Sequence, residues 1–600
     1  MCKAYAVCDR IVRLMPTFIY LYRFAEGRVS LGIFTFLRCV MFKKTDEELI
    51  KAFDNAKTRQ DIADLLEIKE KSLRYFLFVI KPENMYSSFT IPKKRGGKRQ
   101  IFAPSKKLRN LQRKLAYVLN LKYKPKICSY GFVKGKNILD NASQHTKKSE
   151  ILNIDLKDFF TQFHFGRVVG MLTAKPYSLG REAAITIAQI ACLNGILPQG
   201  APTSPILTNM LCAPLDNQLM HYAKKHGLIY TRYADDITFS TFSHSISEKI
   251  VFKSLDKFII HDPLKNILVK NSLVENEEKI TLRTKNGRQE VTGLIVNKFP
   301  NVKREYIKNI QAILYNCSKN GTYQEALKYI DKGLCKNKNI IKIRNDSEKQ
   351  TTIEEWFKSV IIGKIYFVRQ IKGKESFTFF KLANLANTVF SEEIFDISYF
   401  DQMNAIIEKN VFVLQSRDEL NQGSGFYVPE FGFFTSYHVT EDGDFYFILG
   451  KDKKYPISND LNLKCSDKTI DYALYNIKPS DTTAATMGDS SELNIGDTVV
   501  IAGFPDYLQG DTITKEECKI TGITQLFGAP FYKVSGRVVH GASGGIVLNT
   551  NQQIVGIIKG GCSSDDTDNI AMKQGFVPIG LVLADVKIKT EKSYATTGTE

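Results

Sequence analysis

None of the 11 cysteines stands in a C-x-x-C pair. Paired cysteines at that spacing are the usual start of a structural zinc site, so zinc is not expected. The cysteines are also too scattered for a disulfide framework, which favours reduced thiols in a reducing compartment. No uncharged apolar run reaches the roughly 18 residues that a membrane span requires. Ile11–Tyr22 and Leu31–Phe42 are apolar, but Arg10, Arg13, Arg23, Glu26, Arg28 and Arg38 break the pattern. No small-residue cleavage site follows them, which disfavours a signal peptide. Residues 1–42 are read as an extension of doubtful status, because Met41 opens a far more ordinary sequence. Internal repeats and low-complexity tracts are absent, and 43% hydrophobic with 24% charged residues is a globular composition.

What the chain has in excess is positive charge, a net +20 over 600 residues. Residues 421–600 hold 15 Lys and Arg against 22 Asp and Glu, a net −7, so residues 1–420 carry +27. A basic body with an acidic appendage points to a nucleic-acid-binding part joined to something else. Residues 43–80 have helical apolar spacing (Leu49, Ala52, Phe53, then Ile62, Leu65, Leu66). From 86 to about 300 strand and helix patterns alternate, and 303–400 is helical and basic. Residues 415–588 show short β-rich runs with Gly and Asp turns, the pattern of a sandwich or barrel. The expected divisions are 43–302, a basic helical segment 303–400, a linker 401–420, an all-β domain 421–588 and a frayed tail 589–600.

The chemistry of the first part centres on Ala234-Asp235-Asp236, flanked by two apolar-alternating runs. This predicts a hairpin with paired carboxylates at its tip. Ile151-Leu-Asn-Ile-Asp155 is an apolar strand ending in a third carboxylate, 80 residues before Asp235. Side by side in one sheet, the two elements would bring together carboxylates able to hold two hard cations.

Tyr233-Ala-Asp-Asp236 resembles the signature of reverse transcriptases, and other blocks of that family appear in order. They are Ile91–Ile101 with Pro104, Ser105–Leu115 with Arg109, and Leu197-Pro-Gln-Gly-Ala-Pro-Thr-Ser-Pro205 with Asn209. The resemblance covers about 43–390 and implies an α+β right-hand polymerase with fingers, palm and helical thumb. It implies two Mg²⁺ ions on Asp155, Asp235 and Asp236, with the Leu156 carbonyl as a further ligand. Phe160 would be the gate that excludes a ribose 2′-hydroxyl, with a core aromatic as the competing reading. Gln199 and Gly200 would lie under the nucleotide sugar, and Lys94, Arg99 and Arg109 are candidate phosphate contacts. Lys303, Arg304, Lys308, Lys364, Arg369, Lys372 and Lys374 would meet duplex phosphates without reading sequence.

Asn141-Ala-Ser-Gln-His145 and Val291-Thr292-Gly293 resemble the N-A-x-x-H and V-T-G elements of retron reverse transcriptases. In that family these elements are implicated in RNA recognition. The resemblance implies a structured partner RNA, priming from a guanosine 2′-hydroxyl, and a branched RNA-linked DNA product made from deoxynucleoside triphosphates. It also implies a bacterial cytoplasmic protein.

A second constellation lies in the acidic part. Gly541-Ala-Ser543-Gly-Gly545 can aim the amides of Gly541 and Ser543 at one oxygen, as an oxyanion hole does. His438, Asp471 and Ser543 follow in the order His, Asp, Ser, with gaps of 33 and 72 residues. That order resembles the trypsin-like family, closest to its high-temperature-requirement branch, and implies an all-β double barrel without a cofactor. His438 would be the base, Asp471 its orienter and Ser543 the nucleophile. Ala542 replaces the aspartate that in digestive enzymes binds a newly freed N-terminus, so control by that cleavage is not expected. Arg537, six residues before Ser543, suggests an acidic cleavage preference.

Together these features predict a multidomain antiviral protein: a retron-type polymerase fused to a serine protease effector with an unknown protein substrate, and they are compatible with an oligomer. The alternatives are a defence-associated or intron-type reverse transcriptase and a non-catalytic peptide-binding protease-like module. The lack of a nuclease-type Cys/His cluster at the C-terminus counts against an intron maturase.

Overall fold

A computed structural model describes residues 42–92, 97–243, 246, 250–254, 257–418, 421–441, 446–449, 453–526, 528–560 and 574–597. The extension at 1–42, except Phe42, and Lys94 lie outside the described residues. The chain divides into two compact units, one ending at Lys308 and one beginning at Asn309.

In the first unit, helices Asp46–Asp54 and Arg59–Leu65 each begin with a capping box, Thr45 with Glu48 and Thr58 with Asp61. Each box satisfies amides that the helix itself leaves open. Strands β1 (Tyr86–Pro92) and β2 (Lys98–Pro104) form an antiparallel hairpin. Strands β3 (Glu150–Asp155), β4 (Ile229–Tyr233), β5 (Asp236–Thr241) and β6 (Thr281–Thr284) form an antiparallel sheet in the order β4-β5-β3-β6. β5 is an inner strand, so Ile237–Thr241 is buried on both faces although its sequence alternates apolar and polar residues. Helices Lys106–Lys122, Arg181–Ala191 and Ser204–Leu211 contribute to the same apolar core.

In the second unit, helix Gln350–Lys372 buries Ile353, Phe357, Ile361, Ile365 and Val368, a stripe at helical spacing. Helices Phe377–Phe390 and Ser398–Asn410 follow. The β domain comprises a seven-stranded sheet running from Val411–Ser416 to Tyr472–Tyr475 and a closed six-stranded barrel between Thr498–Gly503 and Gly575–Pro578. The two halves have separate apolar cores. The expected double barrel thus takes the form of one closed barrel and one sheet. The edge strands of that sheet, Lys454–Ile457 and Leu463–Asp467, do not pair with each other among the described residues.

Two expected boundaries differ from the structure. Within the expected linker 401–420, residues 401–416 are regular structure: helix Ser398–Asn410 runs directly into strand Val411–Ser416. Met403 and Ile407 are buried one helical turn apart, and Val411, Val413 and Leu414 are buried in the sheet. Asn410 is wholly buried and exchanges two 2.9 Å hydrogen bonds with the backbone of Thr483. Further along, the Phe377 amide donates to Glu517 at 2.6 Å and the Tyr399 hydroxyl to the Thr550 carbonyl at 2.9 Å. The helices and the β domain therefore form one body. Within the expected tail, residues 589–597 are helical, since helix Ile579–Thr597 continues past 588. Its Lys589 bridges Asp467 at 2.9 Å and Asp585 at 2.6 Å.

Candidate active sites

The antiparallel register sets Asp155 at the end of β3 directly opposite Asp236 at the start of β5. Ala234 and Asp235 make the tight turn between β4 and β5, with Ala234 at φ +58. Two-residue hairpin turns favour positive φ because their twist then matches that of the strands. The loop 128–132 lies flush on this turn: a Cβ on Gly131 would sit 2.4 Å from the Ala234 amide nitrogen. Tyr130 N donates to Arg232 O at 2.9 Å, and Arg232 N to Cys128 O at 2.8 Å. Beneath the turn, the wholly buried Arg232 and Asp216 form a two-pronged ion pair at 2.8 and 2.7 Å. Arg232 Nη1 also donates to the Ala234 carbonyl at 3.2 Å and to Asn209 Oδ1 at 3.1 Å. A planar guanidinium thus ties the carboxylate-bearing turn to the helices below it.

Crowding shows in the acidities. Burial, then the neighbouring Asp155 charge, raises Asp235 above the ordinary carboxylate range. Asp236 reaches solvent at its tip, yet the desolvated turn, then Asp235 and Asp155, push it up to about 7. One ammonium offsets the gathered charge: Lys279 Nζ lies 2.7 Å from Asp155 Oδ1. Hard oxygen donors with repelling charges, drawn onto a cation already, suit a divalent ion. Among the described residues no group of three or more acidic, His or Cys side chains is closed around a metal-sized space as it stands. A cleft of about 570 Å³ opens beside the carboxylates, walled by Asp155, Asp236, Lys279, Arg283, Arg288 and Gly293.

Around this centre, Phe160 lies half-buried in the short turn Phe159–Gln162. The Gln199 carbonyl accepts from Phe102 N of β2 at 2.9 Å. Gly200 has φ +118, and a Cβ there would lie 2.7 Å from the Phe102 carbonyl, so only glycine fits. Arg99 is exposed on β2, near enough to Asp235 to lower its pKa.

In the β domain, His438 follows strand Gly432–Thr435 in a single turn of 3₁₀ helix, with its side chain 42% exposed. Asp471 is buried at φ +70 before strand Tyr472–Tyr475. Its Oδ2 lies 2.8 Å and its Oδ1 3.0 Å from His438 Nδ1, and the His438 amide donates to Oδ1 at 3.0 Å. These contacts, with Lys559 Nζ at 3.3 Å, hold the Asp471 carboxyl below its usual range despite burial. Nδ1 faces the aspartate, so Nε2 is left for the serine. Ser543 follows Gly541 at φ +82, where a Cβ would lie 2.6 Å from the Phe504 carbonyl. The Ser424 hydroxyl donates to the Gly541 carbonyl at 2.6 Å, and the Ser424 amide donates to the Ser543 carbonyl at 2.8 Å. Among the described residues, the amides of Gly541 and Ser543 have no acceptor, which leaves both for an incoming oxyanion. The Ser543 hydroxyl makes no hydrogen bond to His438 among those residues, a contact that substrate binding commonly tightens.

Residues 91–296 match the family described as reverse transcriptase (RNA-dependent DNA polymerase), and residues 423–557 match the trypsin-like peptidase domain. The chain is 34% identical over 259 residues to the retron Ec86 reverse transcriptase of Escherichia coli, across 43% of this chain and 77% of that one. The chain belongs to the retron reverse transcriptase family. It is 33% identical over 279 residues to the retron Mx65 reverse transcriptase of Myxococcus xanthus, across 43% of this chain. It spans only 62% of that relative's length. A probable periplasmic serine endoprotease DegP-like of Chlamydia trachomatis is 29% identical over 180 residues, 29% of this chain and 33% of that one.

This retron reverse transcriptase thus brings Asp155, Asp235 and Asp236 together, and likewise His438 and Asp471. Its expected RNA-recognition residues divide by exposure. Asn141, His145 and Val291 are buried. His145 is instead a structural tie in the sheet, its ring nitrogens each 2.7 Å from the hydroxyls of Ser240 and Thr231. Thr292 and Gly293 do reach the cleft. Arg109 Nη2 donates to the Pro104 carbonyl at 3.0 Å. In the second unit, Lys364 and Arg369 lie partly over aromatic rings, 5.9 Å from Tyr329 and 5.6 Å from Phe379. Sequence reasoning missed Lys279, Asp216 and Arg232. The one signal for Arg232 was a charge inside an otherwise apolar strand, which demands a buried partner.

Proposed function

We propose that this protein is an RNA-directed DNA polymerase that copies a structured partner RNA into branched, RNA-linked DNA, and that its peptidase domain is an effector in anti-phage defence. The observation that carries the first half is the β3–β5 register, which pairs Asp155 with Asp236 beside Asp235. Two Mg²⁺ ions, held by the three aspartates and the Leu156 carbonyl, would supply activation of the attacking hydroxyl and neutralise the leaving pyrophosphate. Phe160 stands where a 2′-hydroxyl would go, over a sugar seated on Gln199 and Gly200. Arg99 and Lys94 take the triphosphate. Lys279 leaves Asp155 as cation charge arrives. The cleft that Thr292 and Gly293 line offers Arg283 and Arg288 to RNA phosphates. Nucleic acid copurifying with the chain should contain a branched RNA–DNA species. Its absence, with DNA synthesis intact, would point to another reverse transcriptase class.

The His438–Asp471 pair and the open Gly541 and Ser543 amides support a serine peptidase. His438 Nε2 takes the Ser543 proton, Asp471 holds the imidazole, and the two amides receive the oxyanion. Ser543→Ala should abolish phage protection while DNA synthesis persists; survival of protection would refute the effector role. Failure of a fluorophosphonate to label Ser543 during infection would favour a peptide-binding module.

A further inference from the structure

The ring of Phe160 has two aromatic neighbours. One is Phe159, with ring centroids 5.5 Å apart, and Phe159 in turn meets Phe163 at 5.2 Å. Phe159 and Phe163 are both buried, so this neighbour is rigid. The other is Phe132, 6.2 Å away with the rings tilted by 49°. Phe132 is 45% exposed and has φ +59. An exposed aromatic gains little from burial, and a bulky side chain at positive φ is a genuine outlier. Such a conformation persists only where its surroundings impose it.

The surroundings here do impose it. Gly131 cannot move, because it already abuts the Ala234 amide and its carbonyl accepts from Asn209 Nδ2 at 2.8 Å. Val133, on the other side, is buried in the core. The loop is therefore pinned at both flanks, and the left-handed residue between them points its ring at Phe160. The same pins fix the Asp235 turn, so ring and carboxylates share one foundation.

We propose that Phe132 is a specificity-determining residue that backs the Phe160 ring, so that the pair rejects ribonucleotides. The inference rests on the reading of Phe160 as the gate. A gate discriminates only if it cannot yield. A 2′-hydroxyl adds one oxygen, and a ring braced by Phe159 alone has room to swing aside and admit it. Phe132, held on its pinned loop, restricts that movement.

The test is single-nucleotide incorporation by the full chain with its copurified RNA, comparing kcat/KM for each dNTP and its rNTP. Phe132→Gly accepts φ +59 without strain, so it removes the ring and leaves the loop geometry. It should lower the dNTP preference by about tenfold. Phe132→Tyr should retain the preference. Phe160→Ala should abolish it, and adding Phe132→Gly should then change nothing further, because both act through one ring. Wild-type preference in Phe132→Gly overturns the proposal. An unchanged preference in Phe160→Ala overturns the gate reading and this inference with it, and the two failures are distinguishable.

Discussion

At the scale of single residues, two buried groups decide more than their positions in the sequence suggest. Asp216 and Arg232 are fully enclosed, and removal of one partner leaves the other charge unpaired in the interior. Asp216→Asn should therefore cost about 3–5 kcal/mol of stability, measured by urea unfolding. It should also slow nucleotide addition, because Arg232 holds the Ala234 carbonyl. His145 is pushed down to about 3, chiefly by burial and then by Lys148. Its folded value lies below its ordinary value, so the unfolded chain binds the proton more readily. The stability it contributes is present above about pH 6.5 and is lost as pH falls toward 3, at about 1.4 kcal/mol per pH unit. His145→Gln should flatten that slope by one proton's worth in melts between about pH 6 and pH 4. The pairing of Asp216 with Arg232 and the hydroxyl partners of His145 were not legible from sequence, because burial is a property of the folded neighbourhood.

At the scale of elements, the catalytic hairpin is the clearest case of local legibility. Alternation on either side of Ala234-Asp235 implied two strands and a turn, and the structure has them. The partner strand was also legible as an apolar run ending in Asp155. The register that sets Asp155 opposite Asp236 was not, since many registers satisfy the same pattern. The C-terminal helix Ile579–Thr597 was missed. Its Lys589 serves Asp467 and Asp585, and Asp585 accepts from the Tyr472 hydroxyl at 2.6 Å beside Asp471. Lys589→Met should destabilise the β domain by about 1–2 kcal/mol, read by thermal unfolding. It should also slow fluorophosphonate labelling of Ser543, because Lys589 holds the Ser466 carbonyl and the Asp467 carboxylate, and the Asp467 backbone carbonyl accepts from the Asp471 amide at 2.8 Å.

At the scale of the whole molecule, charge and chemistry are partitioned along the chain. The +27 of residues 1–420 is the electrostatic footprint of a phosphate binder, and the −7 of residues 421–600 is not. Affinity for an RNA–DNA duplex should fall about a thousandfold or more between roughly 50 and 200 mM salt, if six or more phosphates are neutralised. Filter binding across a salt series checks the slope. Ser543→Ala should leave that slope unchanged, since it removes no cation. The partition by charge does not coincide with the partition by packing. The helices after Asn309 are joined to the β domain through Asn410, Phe377 and Tyr399. The boundary expected near 401–420 was drawn from composition, whereas compactness follows from which apolar faces meet.

The sequence by itself determined both chemistries: three carboxylates in a reverse-transcriptase order, and His, Asp and Ser in a trypsin-like order. Such readings are possible because each chemistry demands particular residue types, and each family has its own order of them along the chain. Only the tertiary structure decided which residues stand behind those groups. Asp216 on Arg232, Lys279 on Asp155, Lys559 on Asp471 and Phe132 against Phe160 join residues well apart in the sequence. Chain folding brings them together across 16 to 124 positions, and no local pattern records such distances.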